Sequence, residues 1–222
     1  DRLLAERPPA DAIALEVAAT LGEAVETPVW RAACEAAGVP ASEDLVEAML
    51  VRSLARCGSG GPARGWRFEH IILREVLTGR AEVAGRLATH HAACAIALDG
   101  VVKRGVAERR AGHLIGAGAP EAALGPLLEA VDERLAVGEL ARANVLLGER
   151  ATALEACPGA APVVHAEGWI RWGRLARGLG RHGDACAWAD RAVQAAERGR
   201  FGRVLVDGLL LRGALARDAG QT

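Results

Sequence analysis

Tyrosine is absent from this sequence, lysine and methionine occur once each, and aromatic residues fill only 3% of its 222 positions. With so few rings, the core must be assembled from Leu, Ala and Val. A hydrophobic content of 51% supplies them in abundance, in segments that favour helices. There is little charge imbalance: the formal net charge is −1, which gives no bulk electrostatic pull toward nucleic acid or an anionic membrane. The five cysteines, Cys34, Cys57, Cys94, Cys157 and Cys186, are never spaced as CxxC. An odd, scattered set argues for reduced thiols in a cytoplasmic protein rather than a disulfide frame or a zinc knuckle. No apolar run approaches the ~18 residues of a membrane span, and no secretory signal opens the chain. A GxxxxGK[ST] phosphate loop is also missing, so the chain by itself is expected neither to hold ATP tightly nor to hydrolyse it. No Ser-His-Asp or Cys-His arrangement can be assigned from spacing, and no catalytic residue is expected.

Helix punctuation organises what is present. Pro8 and Pro9 open a helix that Gly22 closes. Thr27 is a good N-cap for TPVWRAACEAAG, with Pro28 in the first turn and Gly38 as the stop. Ser42 caps a third helix whose stripe includes Leu45 and Met49. Arg56–Cys57 and Trp66–Glu69, separated by the glycine-rich GSGGPARG, read as one small β-hairpin. His70 to Leu77 is helical again. Three helices, a hairpin and a closing helix predict a winged-helix domain over residues 1–78. Residues 80–98 read as one long helix, so 79–101 is expected to link this domain to the remainder of the chain. From residue 102 only helices are expected, near 102–117, 120–137, 139–156, 163–181, 183–199 and 201–220.

A repeat runs through this second part. Trp169, Trp172, Gly173 and Ala176 follow the W-x2-L-G-x2-Y spacing of a tetratricopeptide repeat (TPR), with Trp for Leu and Ala for Tyr. Ala185 and Ala189 fall on its A-x3-F spacing, and Ala192 on the next small position. Leu209, Gly213 and Ala216 repeat the pattern later, and Leu127, Ala130 and Val131 do so more weakly before it. Small residues at Gly173 and Ala185 would let two helices approach closely. The fold class expected is therefore mainly α: a winged-helix domain with one small hairpin, then an α-solenoid of TPR-like hairpins over 102–222. The sequence begins without Met and stops within a repeat, which reads as a piece of a longer protein.

The order winged helix, FEHIILREVL, linking helix and TPR-like repeats resembles the region after the nucleotide-binding core in bacterial STAND ATPases, multidomain signalling NTPases. Phe68, His70, Leu73, Arg74 and Glu75 match their F-x-H-x-x-L-R-E signature, while Glu69 and Ile71 depart from the residues common in relatives. The resemblance implies ADP or ATP in an upstream domain, no cofactor in this chain, and a nucleotide-sensing role for His70 against the β-phosphate of ADP. Without the resemblance, His70 reads as a helix cap or the filler of a polar gap. The partners implied are the parent's nucleotide-binding domain and a protein or peptide in the repeat groove. Mapped onto the family, that groove carries Arg171, Arg174 and Arg177, a stripe able to grip carboxylates or phosphates by forked hydrogen bonds. The alternative is a freestanding TPR adaptor. A DNA-binding regulator is less favoured, because Glu43, Asp44 and Glu47 stand at the start of the presumed recognition helix. His90 and Cys94 share a helix face but lack further metal ligands, so no metal site is expected.

Overall fold

The computed structural model describes residues 7–58 and 60–220. The expected limits at residues 1 and 222, and Ser59 of the expected hairpin loop, lie outside the described residues. The chain is mainly helical, with eleven helices and one three-stranded antiparallel sheet among the described residues. It divides into two compact units, residues 1–102 with 112–119, and residues 103–111 with 120–222.

The first unit begins with α1 (Pro9–Leu21), β1 (Ala24–Glu26), α2 (Thr27–Ala36) and α3 (Glu43–Val51). β2 (Ala55–Cys57), β3 (Gly65–Phe68), α4 (Ile71–Val83) and α5 (Leu87–Ala97) come next. The hairpin β2–β3 is joined by a strand that sequence reading did not anticipate. β1 pairs with β3 on its other side, Val25 opposite Trp66, so the order is β1-β3-β2 rather than a lone hairpin. Three residues are too short to show an alternating pattern, which is why β1 was invisible in sequence. Gly65 makes the pairing possible: a Cβ there would stand 2.8 Å from the Val25 carbonyl oxygen. Arg56 and Arg67 face each other across β2 and β3, a repulsive placement. Each is drawn aside by its own carboxylate, Arg56 by Glu69 and Arg67 by Glu23.

Thr27 does not cap α2. It lies within the helix, and its hydroxyl donates instead to the Pro62 carbonyl at 2.6 Å, tying down the β2–β3 loop. The expected long helix 80–98 is two helices. Gly85, at φ +68°, breaks it, and the backbone N–H of Arg86 bonds back to the Ala81 carbonyl. Both helices pack inside the first unit, α4 and α5 against α1, and α5 also against α2. The core there contains Trp30, whose indole donates to the Ala14 carbonyl at 2.9 Å. Trp66 packs edge-on against Trp30 at 5.8 Å and Phe68 against Trp66 at 5.0 Å.

Helix α6 (Val106–Gly116) contributes its first half to the second unit and its last turn to the first. The second unit continues as α7 (Pro120–Ala136), α8 (Leu140–Glu155), α9 (Pro162–Gly178), α10 (His182–Gly199) and α11 (Gly202–Asp218). Each helix starts and ends within about a turn of its expected limits. Helices α7 and α8 pack as a hairpin, α9 and α10 as a second, and α9 also touches α7 and α11. The contacts run along an alanine ridge on α10. Ala185 and Ala189 meet Ala176, Leu211 and Leu215, while Ala192 and Ala196 meet Ala166, Ile170 and Val204. Gly173 lies where small size is needed: a Cβ there would be 2.7 Å from Leu211 and 3.5 Å from the Ala185 carbonyl.

Candidate functional site

His70 closes β3 and opens α4. Its backbone is extended (φ −122°, ψ 125°), as an N-cap requires, and its carbonyl receives the Leu73 N–H at 3.1 Å. Its side chain forms no capping hydrogen bond and is exposed. The ring therefore neither caps α4 nor fills a polar gap; it stands free at the positive end of a 13-residue helix. The helix behind it carries an apolar stripe that is exposed among the described residues. Ile72, Val76 and Val83, at spacings of four and seven, are 67%, 55% and 92% exposed. Exposed β-branched side chains aligned this way are a face that packs against something, or a liability.

The arginine stripe lies on α9 as the spacing requires, but it is not a bare cationic strip. Arg171 places Nε and Nη2 on the Asp132 carboxylate of α7, at 3.2 and 2.7 Å. Arg174 sits between Asp132, at 3.6 Å, and Asp207 of α11, at 3.4 Å. Arg177 makes a fork on Asp218 of α11, at 2.6 and 3.1 Å. That bond raises the Arg177 pKa and lowers that of Asp218. Arg171 is mostly buried, whereas Arg174 and Arg177 stay partly open around a shallow pocket with Gly178 and Asp218. Sequence reading missed the three aspartates. A signal lay in the spacing: Arg171 and Asp132 are 39 residues apart and Arg177 and Asp218 are 41, close to the separation of Gly173 and Gly213.

Sequence reading also missed two buried charges. In the first unit, Glu16 of α1 is fully buried. Arg86 grips it with Nε and Nη2 at 3.0 and 2.8 Å, Arg80 stands 3.1 Å away, and His90 Nε2 bonds it at 3.1 Å. Burial alone would raise its pKa; the bonds from Arg86 and His90 outweigh this and hold it below the ordinary carboxylate value. His90 is thereby a partner of Glu16, not a metal ligand with Cys94. In the second unit, Arg150 of α8 is buried and donates to the Val164 carbonyl at 2.6 Å and the Leu124 carbonyl at 3.3 Å. Burial pushes its pKa down to about 10. Gly168 makes room for it, since a Cβ would meet Arg150 Nη1 at 2.5 Å.

The acidic start of α3 is as expected, Glu43 being paired with Arg31. No group of three or more His, Cys, Asp or Glu side chains gathers to hold a metal among the described residues, and no helix among them is long and apolar enough to cross a membrane. No family model matches the chain, and comparison with curated proteins and with solved structures returns no match.

Proposed function

We propose that this chain is the regulatory and protein-interaction arm of a STAND-type signalling ATPase. In this reading residues 7–78 act as a winged helix and α7–α11 as TPR-like repeats of a solenoid. His70 would help hold an ADP-bound off state in a nucleotide-binding domain outside this chain, and the repeats would sense a partner. The chain itself would be no enzyme and would bind no cofactor alone; the setting would be cytoplasmic.

One observation carries the reading: the free ring of His70 at the N-terminus of α4, next to the uncovered stripe Ile72–Val76–Val83. An imidazole can donate to a phosphate oxygen, and the helix end adds favourable potential for an anion. The apolar stripe is what a docked domain would cover. His70 favours an off state only if it contacts ADP better than ATP, because a contact equal in both states shifts no population. On the repeat side, the arginines are the proposed partner contacts. A partner would have to compete with Asp132, Asp207 and Asp218 for them, which favours exchange at the half-open Arg174 and Arg177 over Arg171.

The test uses the longer polypeptide that includes the nucleotide-binding core, purified with native His70 and with His70→Ala. Retention of ADP by the native form and much faster exchange in the variant is the expected result. Equal retention and exchange would reduce His70 to a structural residue, leaving a freestanding adaptor as the better reading.

A further inference from the structure

Three of the five tryptophans lie in the second unit, and all three are only half-buried. They form a continuous ladder with one cation. His165 lies 6.3 Å from Trp169, the Arg191 guanidinium carbon sits 4.2 Å from the Trp169 ring centre and 5.7 Å from that of Trp188, and Trp188 stacks with Trp172 at 6.1 Å. The ladder straddles the α9–α10 seam. On α9 its members recur at spacings of four and three, on the side away from Arg171 and Arg174.

The buried halves of these rings are accounted for, since they seal α9 against the flank of the alanine ridge on α10. Their exposed halves and Arg191 are not. Arg171, Arg174 and Arg177 on the groove face are each paired with an aspartate, whereas Arg191, on the other side, is exposed and forms no ion pair among the described residues. The carboxylate next to it in sequence, Asp190, is turned to Arg212 at 3.3 Å. A guanidinium resting on an indole is already ordered, so a ligand would not meet the entropic cost of fixing it. Its N–H donors then lack only an acceptor. Half-exposed Trp beside Arg is also the composition at which binding energy concentrates in protein interfaces.

We infer that the Trp169–Trp172–Trp188–Arg191 ladder is a docking site for an acidic peptide segment, one that places an Asp or Glu carboxylate on Arg191 and an apolar neighbour on the flanking indoles. Charge complementarity selects the carboxylate, and the exposed ring faces select the apolar neighbour. The inference does not rest on the nucleotide-clamp reading, because the ladder is built wholly within α9 and α10.

The test is retention of the fluorescently labelled chain on an array of octapeptides with a fixed central Glu and randomised neighbours, beside the same array with Gln and a third with phosphoserine. The expected result is at least a fivefold preference for Glu over Gln, enriched for apolar residues next to it. Arg191→Gln should abolish the preference and Trp169→Ala should weaken retention, with helicity unchanged by circular dichroism for Arg191→Gln. Arg177→Gln, on the groove face, should leave it intact. Equal retention on the Glu and Gln arrays, none included, overturns the inference. So does a Glu preference that survives Arg191→Gln, one lost with Arg177→Gln, or Arg191-dependent retention on phosphoserine alone.

Discussion

Replacing Glu16 by Gln removes a buried negative charge while keeping the shape of the side chain. In the native structure this carboxylate accepts two bonds from Arg86, stands 3.1 Å from Arg80 and bonds His90. The amide of Gln keeps one acceptor oxygen but replaces the other with an N–H2 that faces guanidinium groups able only to donate. Breaking a buried ion pair by removing one partner costs about 3–5 kcal/mol when the other charge is trapped. Here the arginines are not fully trapped: the Arg80 and Arg86 side chains are 48% and 35% exposed and can turn to water. Only His90, 2% exposed, must remain. The expected loss is therefore about 2–3 kcal/mol, below that range because two of the three partners can rehydrate. With a urea m-value of about 2 kcal/mol/M, the midpoint should fall by roughly 1 M. The assay is urea unfolding monitored by fluorescence in a Trp169→Phe, Trp172→Phe, Trp188→Phe background, where Trp30 and Trp66 report on the first unit alone. Glu23→Gln, which removes an exposed pair with Arg67, is the control and should cost under about 0.5 kcal/mol. pH supplies a second arm. Because the folded pKa of Glu16 lies below its ordinary 4.5, its ionisation contributes stability that is full above that value and is lost as pH falls through the folded pKa. The gap between native and variant should thus narrow as the buffer is taken below pH 4.5. A midpoint shift no larger than that of Glu23→Gln, or a gap that widens in acid, would refute the reasoning.

Other outcomes rest on single contacts. Gly168→Ala adds a Cβ 2.5 Å from Arg150 Nη1, whose guanidinium is held by two carbonyls. The helix-propensity gain of up to about 1 kcal/mol should be reversed into a net loss, and the loss should disappear in an Arg150→Met background, as read by a double-mutant cycle. His70→Ala should leave the denaturation midpoint within about 0.5 kcal/mol of native, because the ring is exposed and makes no capping bond; a larger loss would mean the ring is structural. A thiol reagent at pH 8 should titrate the exposed Cys57 and Cys186 first and leave the buried Cys34 and Cys94 unreacted until the chain unfolds. Burial pushes the Cys34 thiol up to about 12, so thiolate is almost absent there.

The helices were legible because their punctuation is local. Pro9, Gly22 and Gly38 act through neighbouring backbone and each stands at a helix boundary; Ser42 also holds the N-cap position of α3, but its side chain makes no capping bond. The same locality misled at two places. Thr27 has the chemistry of a cap, yet a distant carbonyl, that of Pro62, outbid the local one. The break at Gly85 was hidden because apolar periodicity continues across it from α4 to α5. What closes the turn is the Arg86 backbone bond to Ala81, with the Arg86 side chain drawn to Glu16, a residue 70 positions away. Strand β1 was illegible for a related reason, since its three residues are a strand only by virtue of β3 beside them.

Site residues were legible as positions and not as states. Spacing alone put Arg171, Arg174 and Arg177 on one helix face, and it would have done so whether they were free or bound. Their states depend on residues 39 and 41 positions away, Asp132 and Asp218, which bring a carboxylate to each end of the stripe. The charge along the face then alternates across helices instead of accumulating on one. A band of that kind contributes little steering to an acidic ligand, because its far field cancels, while it keeps short-range forks that only a well-placed carboxylate can displace. His70 is the contrary case. Its position at the start of a helix argued for a side-chain cap, but an N-cap bond needs a short acceptor such as Ser, Thr, Asp or Asn, and the imidazole of His70 makes no such bond to the first turn of α4. The backbone does the capping geometry, and the ring is left over. The ring is thus left beside an apolar stripe that is exposed among the described residues, in a unit that buries Trp30, Trp66 and Phe68 almost completely.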